Sequence, residues 1–143
     1  MIVGTALNEF TTYLGGDSYS FTSPNFKVIY SGDTLTSLAD AFSYQGGLTS
    51  LDKFTVNTNN VTSMNSMFDG CYSLTDLKFG TNLKVSLSLS DSPLTHASAL
   101  SVLNGLAAIT TSKSITFKAT TYSTLTAAEI KTATDKGWTI TSA

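Results

Sequence analysis

Covalent or acid–base chemistry in this chain would have to run through very few side chains. Cys71 is the only cysteine and His96 the only histidine. A cysteine nucleophile needs a basic neighbour to hold it as thiolate, and these two residues fall in unrelated segments. His96 stands in Pro93-Leu94-Thr95-His96, at the start of an expected helix, with no second histidine or cysteine nearby to share a metal. Cys71 occupies a position that wants a small apolar residue, and a buried free cysteine behaves as a small hydrophobe. The carboxylates are mostly single and turn-placed. Asp33, Asp40, Asp69 and Asp91 flank segment boundaries, and Asp17, Asp33 and Asp40 make no calcium loop. Gly15-Gly16 and Gly46-Gly47 lack the residues that must follow in a phosphate-binding loop. The sequence therefore predicts no catalytic residue, no metal site and no cofactor, and the chain is expected not to be an enzyme.

Charge narrows the partners. The net charge is −2, and all eight basic residues are lysines scattered over 143 positions. Without arginine there is no bidentate reader of guanine or phosphate, and without a lysine stripe there is no track for a nucleic-acid backbone. No apolar run approaches the roughly 20 residues needed to span a bilayer. Neither nucleic acid nor a membrane is expected as a partner. Charged residues make up 13% of the chain, about half the usual share. Serine and threonine, 20 and 24 of them, fill the gap. Such a composition suits β-rich secreted, cell-surface or virion proteins. A single cysteine permits no internal disulfide and leaves the redox compartment open. Met1-Ile2-Val3-Gly4 has neither the charged nor the long apolar region of a signal peptide. That favours a virion component released by lysis over a processed surface protein or a piece of a longer chain.

The elements that would position any site are set by an internal repeat. Thr34-Leu35-Thr36-Ser37-Leu38-Ala39-Asp40-Ala41-Phe42 aligns with Asn60-Val61-Thr62-Ser63-Met64-Asn65-Ser66-Met67-Phe68, and Leu48-Thr49-Ser50-Leu51 with Leu74-Thr75-Asp76-Leu77. Every pair is 26 residues apart. Apolar residues at 61, 64, 67 and 68 recur at helical spacing and predict a short amphipathic helix or turn. Asp69-Gly70 or Gly46-Gly47 then breaks it. Leu77 and Phe79 alternate as in a strand. One helix-like segment plus one strand per period is a leucine-rich-repeat unit, which cannot bury its apolar face without stacked neighbours.

The stretch Asn60 to Leu77 closely resembles the 26-residue repeat of BspA-like bacterial surface proteins, which runs roughly N-V-T-x-M-x-x-M-F-x-x-C-x-x-L-x-x-L. The first copy is degenerate: Gly47 stands for the cysteine, and Leu51-Asp52-Lys53-Phe54 holds one residue more than Leu77-Lys78-Phe79, which a bulge would absorb. The resemblance is specific over about residues 34–80 and looser beyond. It implies a parallel-stranded solenoid of bacterial surfaces and phage-encoded proteins, often linked to adhesion. The formal glycosylation sequon Asn60-Val61-Thr62 belongs to the repeat signature, and Met64 and Met67 are expected in the core.

Beyond the repeat, Lys84 to Ser90 alternates, with Val85, Leu87 and Leu89 facing inward. Pro93 and Thr95 introduce a helix from Ala97 to about Ile109. Ser114 to Ala119 reads as a strand with Ile115 and Phe117 inward. Thr126-Ala127-Ala128-Glu129 is a capping box, flanked by Leu125 and Ile130 as a hydrophobic staple. Gly137 stops that helix, and Trp138-Thr139-Ile140-Thr141 forms a last strand. Phe26 to Tyr30 is a strand where an earlier repeat would place one, and residues 1–25 suit a cap or an arm.

The expected fold is α/β: a short leucine-rich-repeat solenoid with a parallel sheet on one side, short helices on the other, and longer helix–strand units capping the C-terminal end. It divides into a cap or arm (1–30), repeat units (31–90) and a capping region (91–143) of one compact domain. The outward strand residues Ser50, Asp52, Asp76, Lys78, Ser86, Ser88, Thr116 and Lys118, joined by Thr139 and Thr141, should form a shared polar face. The expected role is structural or attachment work at a surface, as a phage fibre, decoration or tail-associated protein among other protein subunits. The alternative is a bacterial adhesion module that binds host protein or glycan through the polar face. Because so short a solenoid has little concave surface, its ends are as good a contact as its face.

Overall fold

The computed structural model describes residues 2–4, 28–30, 34–52 and 54–143. Among these the architecture is mixed α/β, with short parallel sheets and helices gathered in the C-terminal half. The strands are β1 (Ile2–Gly4), β2 (Val28–Tyr30), β3 (Ser50–Leu51), β4 (Phe54–Val56), β5 (Asp76–Leu77), β6 (Leu87–Leu89), β7 (Lys113–Phe117) and β8 (Trp138–Ser142). The helices are α1 (His96–Asn104), α2 (Ala119–Tyr122) and α3 (Ala127–Thr134). The expected single sheet is instead three, ordered β1-β2-β4, β3-β5 and β6-β7-β8, and none closes into a barrel.

The 26-residue offset is written into the backbone. Val28 pairs with Phe54 and Ser50 with Asp76, both in parallel register, and an isolated parallel bridge joins Ser37 to Ser63. Where the spacing at 61, 64, 67 and 68 and its counterpart one period earlier allow a short helix or a turn, the chain forms successions of turns, at 39–44 and 65–70. Their amides alternate between two kinds of partner. Those of Leu38, Asp40, Phe42 and Tyr44 reach sideways to the carbonyls of Ser63, Asn65, Met67 and Asp69. Those of Ala41, Ser43 and Gln45 go back three residues. A helix would need every amide for itself. Two positions per copy also take a left-handed backbone: φ is 57° at Asp40 and 53° at Ser66, then 60° at Tyr44 and 73° at Gly70. That conformation breaks a right-handed helix and recurs at the same step.

Two details of the first copy differ from expectation. Gln45, not Gly47, takes the place of Cys71: Gln45 is buried, its amide bonds Phe42 and its carbonyl takes the Leu48 amide, as Cys71 does with Phe68 and Leu74. The expected bulge is a corner: the chain turns at Asp52 and separates β3 from β4 into different sheets, with Lys53 outside the described residues.

From β6 onward the step changes. Leu87 pairs with Ile115, 28 residues on, and Lys113 with Trp138, 25 residues on. The helix α1 begins one residue before the expected Ala97, capped by the Thr95 side chain on the Ser98 amide, and stops at Asn104 rather than near Ile109. The reason is downstream: Leu106 is drawn into a parallel bridge with Leu83, and Gly105 lies so close to the Gly80 carbonyl that a Cβ would stand 2.5 Å from it. The strand expected to reach Ala119 ends at Phe117, and α2 follows at once. The capping box forms in full, with Thr126 Oγ1 accepting the Glu129 amide and Glu129 accepting the Thr126 amide.

One apolar core runs along the described chain, from Leu35 and Leu38 through Met64, Met67 and Leu77 to Ile115, Phe117 and Trp138. Phe42 and Phe68, one repeat apart, stack with centroids 5.7 Å apart and planes within 5°. Val85, Leu87, Leu89, Ile115 and Phe117 all face inward as their alternation requires.

Candidate functional site

Seven of the eight polar strand residues gather in two places rather than on one face. Asp52, Asp76 and Lys78 border a hollow of about 290 Å³ against α1, shared with Thr95, Ser98 and Ser101. Ser50 is in register beside Asp76. Ser86, Ser88 and Thr116 lie elsewhere, in an open groove of about 650 Å³. Lys118 stands between β7 and α2, at the cap position of that short helix. The division follows from the break in the ladder: β5 belongs to one sheet and β6 to another.

The hollow owes its shape to the way α1 closes the β3–β5 sheet. A sheet edge exposes donors and acceptors that must be met. Here the Leu77 amide donates to Ser98 Oγ at 3.0 Å, and the Thr75 carbonyl accepts the Thr95 amide at 2.9 Å. The helix thereby stands where a third strand would pair.

The groove has walls from distant parts of the chain. Met64, Asn65, Ser66 and Asp69 come from the turns of the second repeat, Leu87, Ser88, Ser114 and Thr116 from the first two strands of the last sheet, and Ser86 and Ser90 from either end of β6. Its hydroxyls are held in pairs: Ser86 Oγ accepts the Ser114 amide at 3.0 Å, Ser88 meets Ser90 at 3.1 Å, and Thr116 meets Thr141 at 3.0 Å. Close by, Asp91 clamps the second repeat to the last sheet by accepting the Gly70 amide at 2.7 Å. Sequence alone marked Asp91 only as a boundary residue. The contributions of Asn65, Asp69 and Ser114 to the groove carry no local signal either, because they meet only through the stacking.

The residues with chemical potential are far from one another's use. Cys71 is buried, donates to the Phe42 carbonyl at 3.1 Å, and burial pushes its thiol up to about 12. Such a thiol is a poor nucleophile at neutral pH. His96 on α1 meets Glu129 on α3, with Nε2 3.1 Å from Oε1 and 3.2 Å from Oε2. The Thr126 backbone amide, and then His96, hold the Glu129 carboxyl below its ordinary value. This pair ties two helices together at the surface. Among the described residues no group of three or more His, Cys, Asp or Glu gathers as metal ligands, and no helix is long and apolar enough to cross a membrane.

No family model, curated protein or solved structure matches the chain. Class is therefore defined by architecture alone: a mixed α/β protein of short parallel sheets.

Proposed function

We propose that the chain is a non-enzymatic structural or attachment module, a short leucine-rich-repeat solenoid of the BspA-like kind, working among other protein subunits at a virion or extracellular surface. The observation that supports it best is the 26-residue step carried at once by strand register, lateral turn bonds and left-handed positions. Rungs of this kind stack on their neighbours, and the last strand, β8, pairs on one side only among the described residues. An end of that type is a natural contact for another subunit. The test is native mass spectrometry of the purified chain together with the protein composition of particles and cell surfaces. A defined oligomer, or the chain in purified particles, is the expected result. A stable monomer absent from both would sink the proposal.

A second reading, an adhesion module that binds a host protein or glycan, is favoured by the groove and the hollow, both lined by outward strand residues.

A further inference from the structure

The groove between the second repeat and the last sheet has a chemistry that subunit assembly does not call on. Most of its polar groups are hydroxyls, including those of Ser86, Ser88, Ser114 and Thr116, with the Asn65 amide and the Asp69 carboxylate among the rest. A hydroxyl offers one donor and two acceptor sites. Ser86 Oγ accepts the Ser114 amide and so keeps its proton to give. The Ser88–Ser90 and Thr116–Thr141 pairs each use one proton of their two. The row is thus set in place before any ligand arrives, with both donors and acceptors to spare. Its spacing is that of a sheet, about 4.8 Å between strands and roughly 6.6 Å between alternate residues. Hydroxyls on a sugar ring and its neighbour are spread on the same scale.

Charge disfavours anionic ligands. No lysine lines the groove, and Asp69 brings a negative charge that repels phosphate, sulfate or carboxylate. Asn65 and Asp69 instead carry planar groups suited to two adjacent hydroxyls. A sugar ring has a polar rim, and the hydroxyl row with Asn65 and Asp69 matches that rim.

We propose that this groove binds a neutral oligosaccharide, read by the serine–threonine row together with Asn65 and Asp69. The proposal deepens the attachment reading above by giving it a class of target. An extended peptide would instead use the open edge of β6, but the hydroxyls lie on the face of the strands, which favours a ligand read by side chains.

Amide chemical-shift titration of the full chain with maltohexaose, cellohexaose and chitohexaose tests the assignment. At least one should give saturable shifts confined to residues 64–69, 86–90 and 114–116, with Kd of about 0.01–1 mM. Replacing Ser88→Val and Thr116→Val together removes two hydroxyls but keeps good strand formers. That pair should weaken binding about tenfold or more while the melting temperature holds. Asp69→Asn keeps a planar polar group and should weaken it less. No saturable shift from any of the three sugars at about 10 mM overturns the proposal. So does undiminished binding by the double variant, or polythreonine peptide displacing the sugar by pairing with β6. Each of these outcomes leaves the assembly reading standing, because that one is read from native mass and particle composition.

Discussion

The described residues of 34–78 and residues 79–143 meet the same requirement, partners for buried backbone groups, by different means. In the first region backbone answers backbone across one repeat, as in the sideways bonds from Leu38, Asp40, Phe42 and Tyr44. In the second, side chains supplement the backbone ladder of β6, β7 and β8 and reach back to close the first. Ser98 takes the Leu77 amide, Thr121 donates to the Leu94 carbonyl, Lys136 to that of Leu106, and the Trp138 ring nitrogen to that of Ala107 at 2.7 Å. A ladder of backbone bonds is indifferent to most surface residues. A region closed by side chains depends on particular ones. The surface residues of the repeat itself should therefore matter little beside its core and backbone geometry, whereas single polar side chains of the C-terminal region, including those that take the repeat's Gly70 and Leu77 amides, should matter.

The largest effect belongs to the core of the repeat. Phe68→Ala empties the space beside Phe42, a pair stacked across one repeat. It should cost about 3–5 kcal/mol in urea unfolding, the range for truncating a buried phenylalanine. Leu103→Ala, equally buried on the inward side of α1, should cost about 2–5 kcal/mol. If the two regions unfold as one unit, both variants shift a single transition. Two separated transitions for either variant would show that the difference in bonding also divides the molecule.

Backbone geometry comes next. Gly137 has φ of +93°, and an added Cβ would stand 2.6 Å from the Ile109 carbonyl oxygen. Backbone cannot swing aside as a side chain can. Gly137→Ala should cost about 1–3 kcal/mol through strain alone, with more from the displaced carbonyl, measured by the same unfolding. In the repeat, Tyr44 already holds a left-handed backbone at φ 60°. Tyr44→Gly there should be near neutral, since relief of strain offsets the entropy that glycine adds.

Single polar residues then separate the regions directly. Ser98→Ala leaves the buried Leu77 amide without its acceptor and should cost about 1–3 kcal/mol. Thr62→Ala removes an exposed hydroxyl that only supplements the backbone bond to the Thr36 carbonyl, and should stay within about 0.5 kcal/mol. Equal costs at the two sites would erase the distinction between a ladder and a side-chain closure.

How much of this was legible follows the same division. The period, the inward residues and the capping box are local patterns, and they read correctly: Leu87, Leu89, Ile115 and Phe117 are buried, and Thr126 and Glu129 bond each other's amides. Helical spacing at 61, 64, 67 and 68 suits a short helix or a turn alike, because it does not reveal where the amides go. Nor do Asp40, Ser66 and Tyr44 announce a left-handed backbone as a glycine would. The end of α1 is not legible locally, because Leu106 answers to Leu83, a partner outside its own segment. The polar strand residues were identified one by one, but their division between hollow and groove depends on which sheet each strand joins. Ser98 and Asp91 carry no sequence signal for their roles, since each serves an amide 21 residues away.

The smallest effect concerns pH, and it again falls in the C-terminal region. Glu129 accepts the Thr126 amide and meets His96, and these contacts hold its carboxyl below its ordinary value near 4.5. A group with a depressed folded-state value contributes stability that is fully present above its unfolded value. That contribution is lost as pH falls through the lower, folded one. Thermal melts from pH 7 down to about 3 should therefore show Glu129→Gln less stable than the parent at neutral pH and converging with it in acid. Glutamine retains a neutral acceptor for the Thr126 amide, so the helix itself should survive. His96→Ala should reproduce part of the same change, because His96 is the second contact and the backbone amide the first. A gap between parent and Glu129→Gln that stays constant across this range would mean that the charge of Glu129 adds nothing, and that α1 and α3 are held by packing alone.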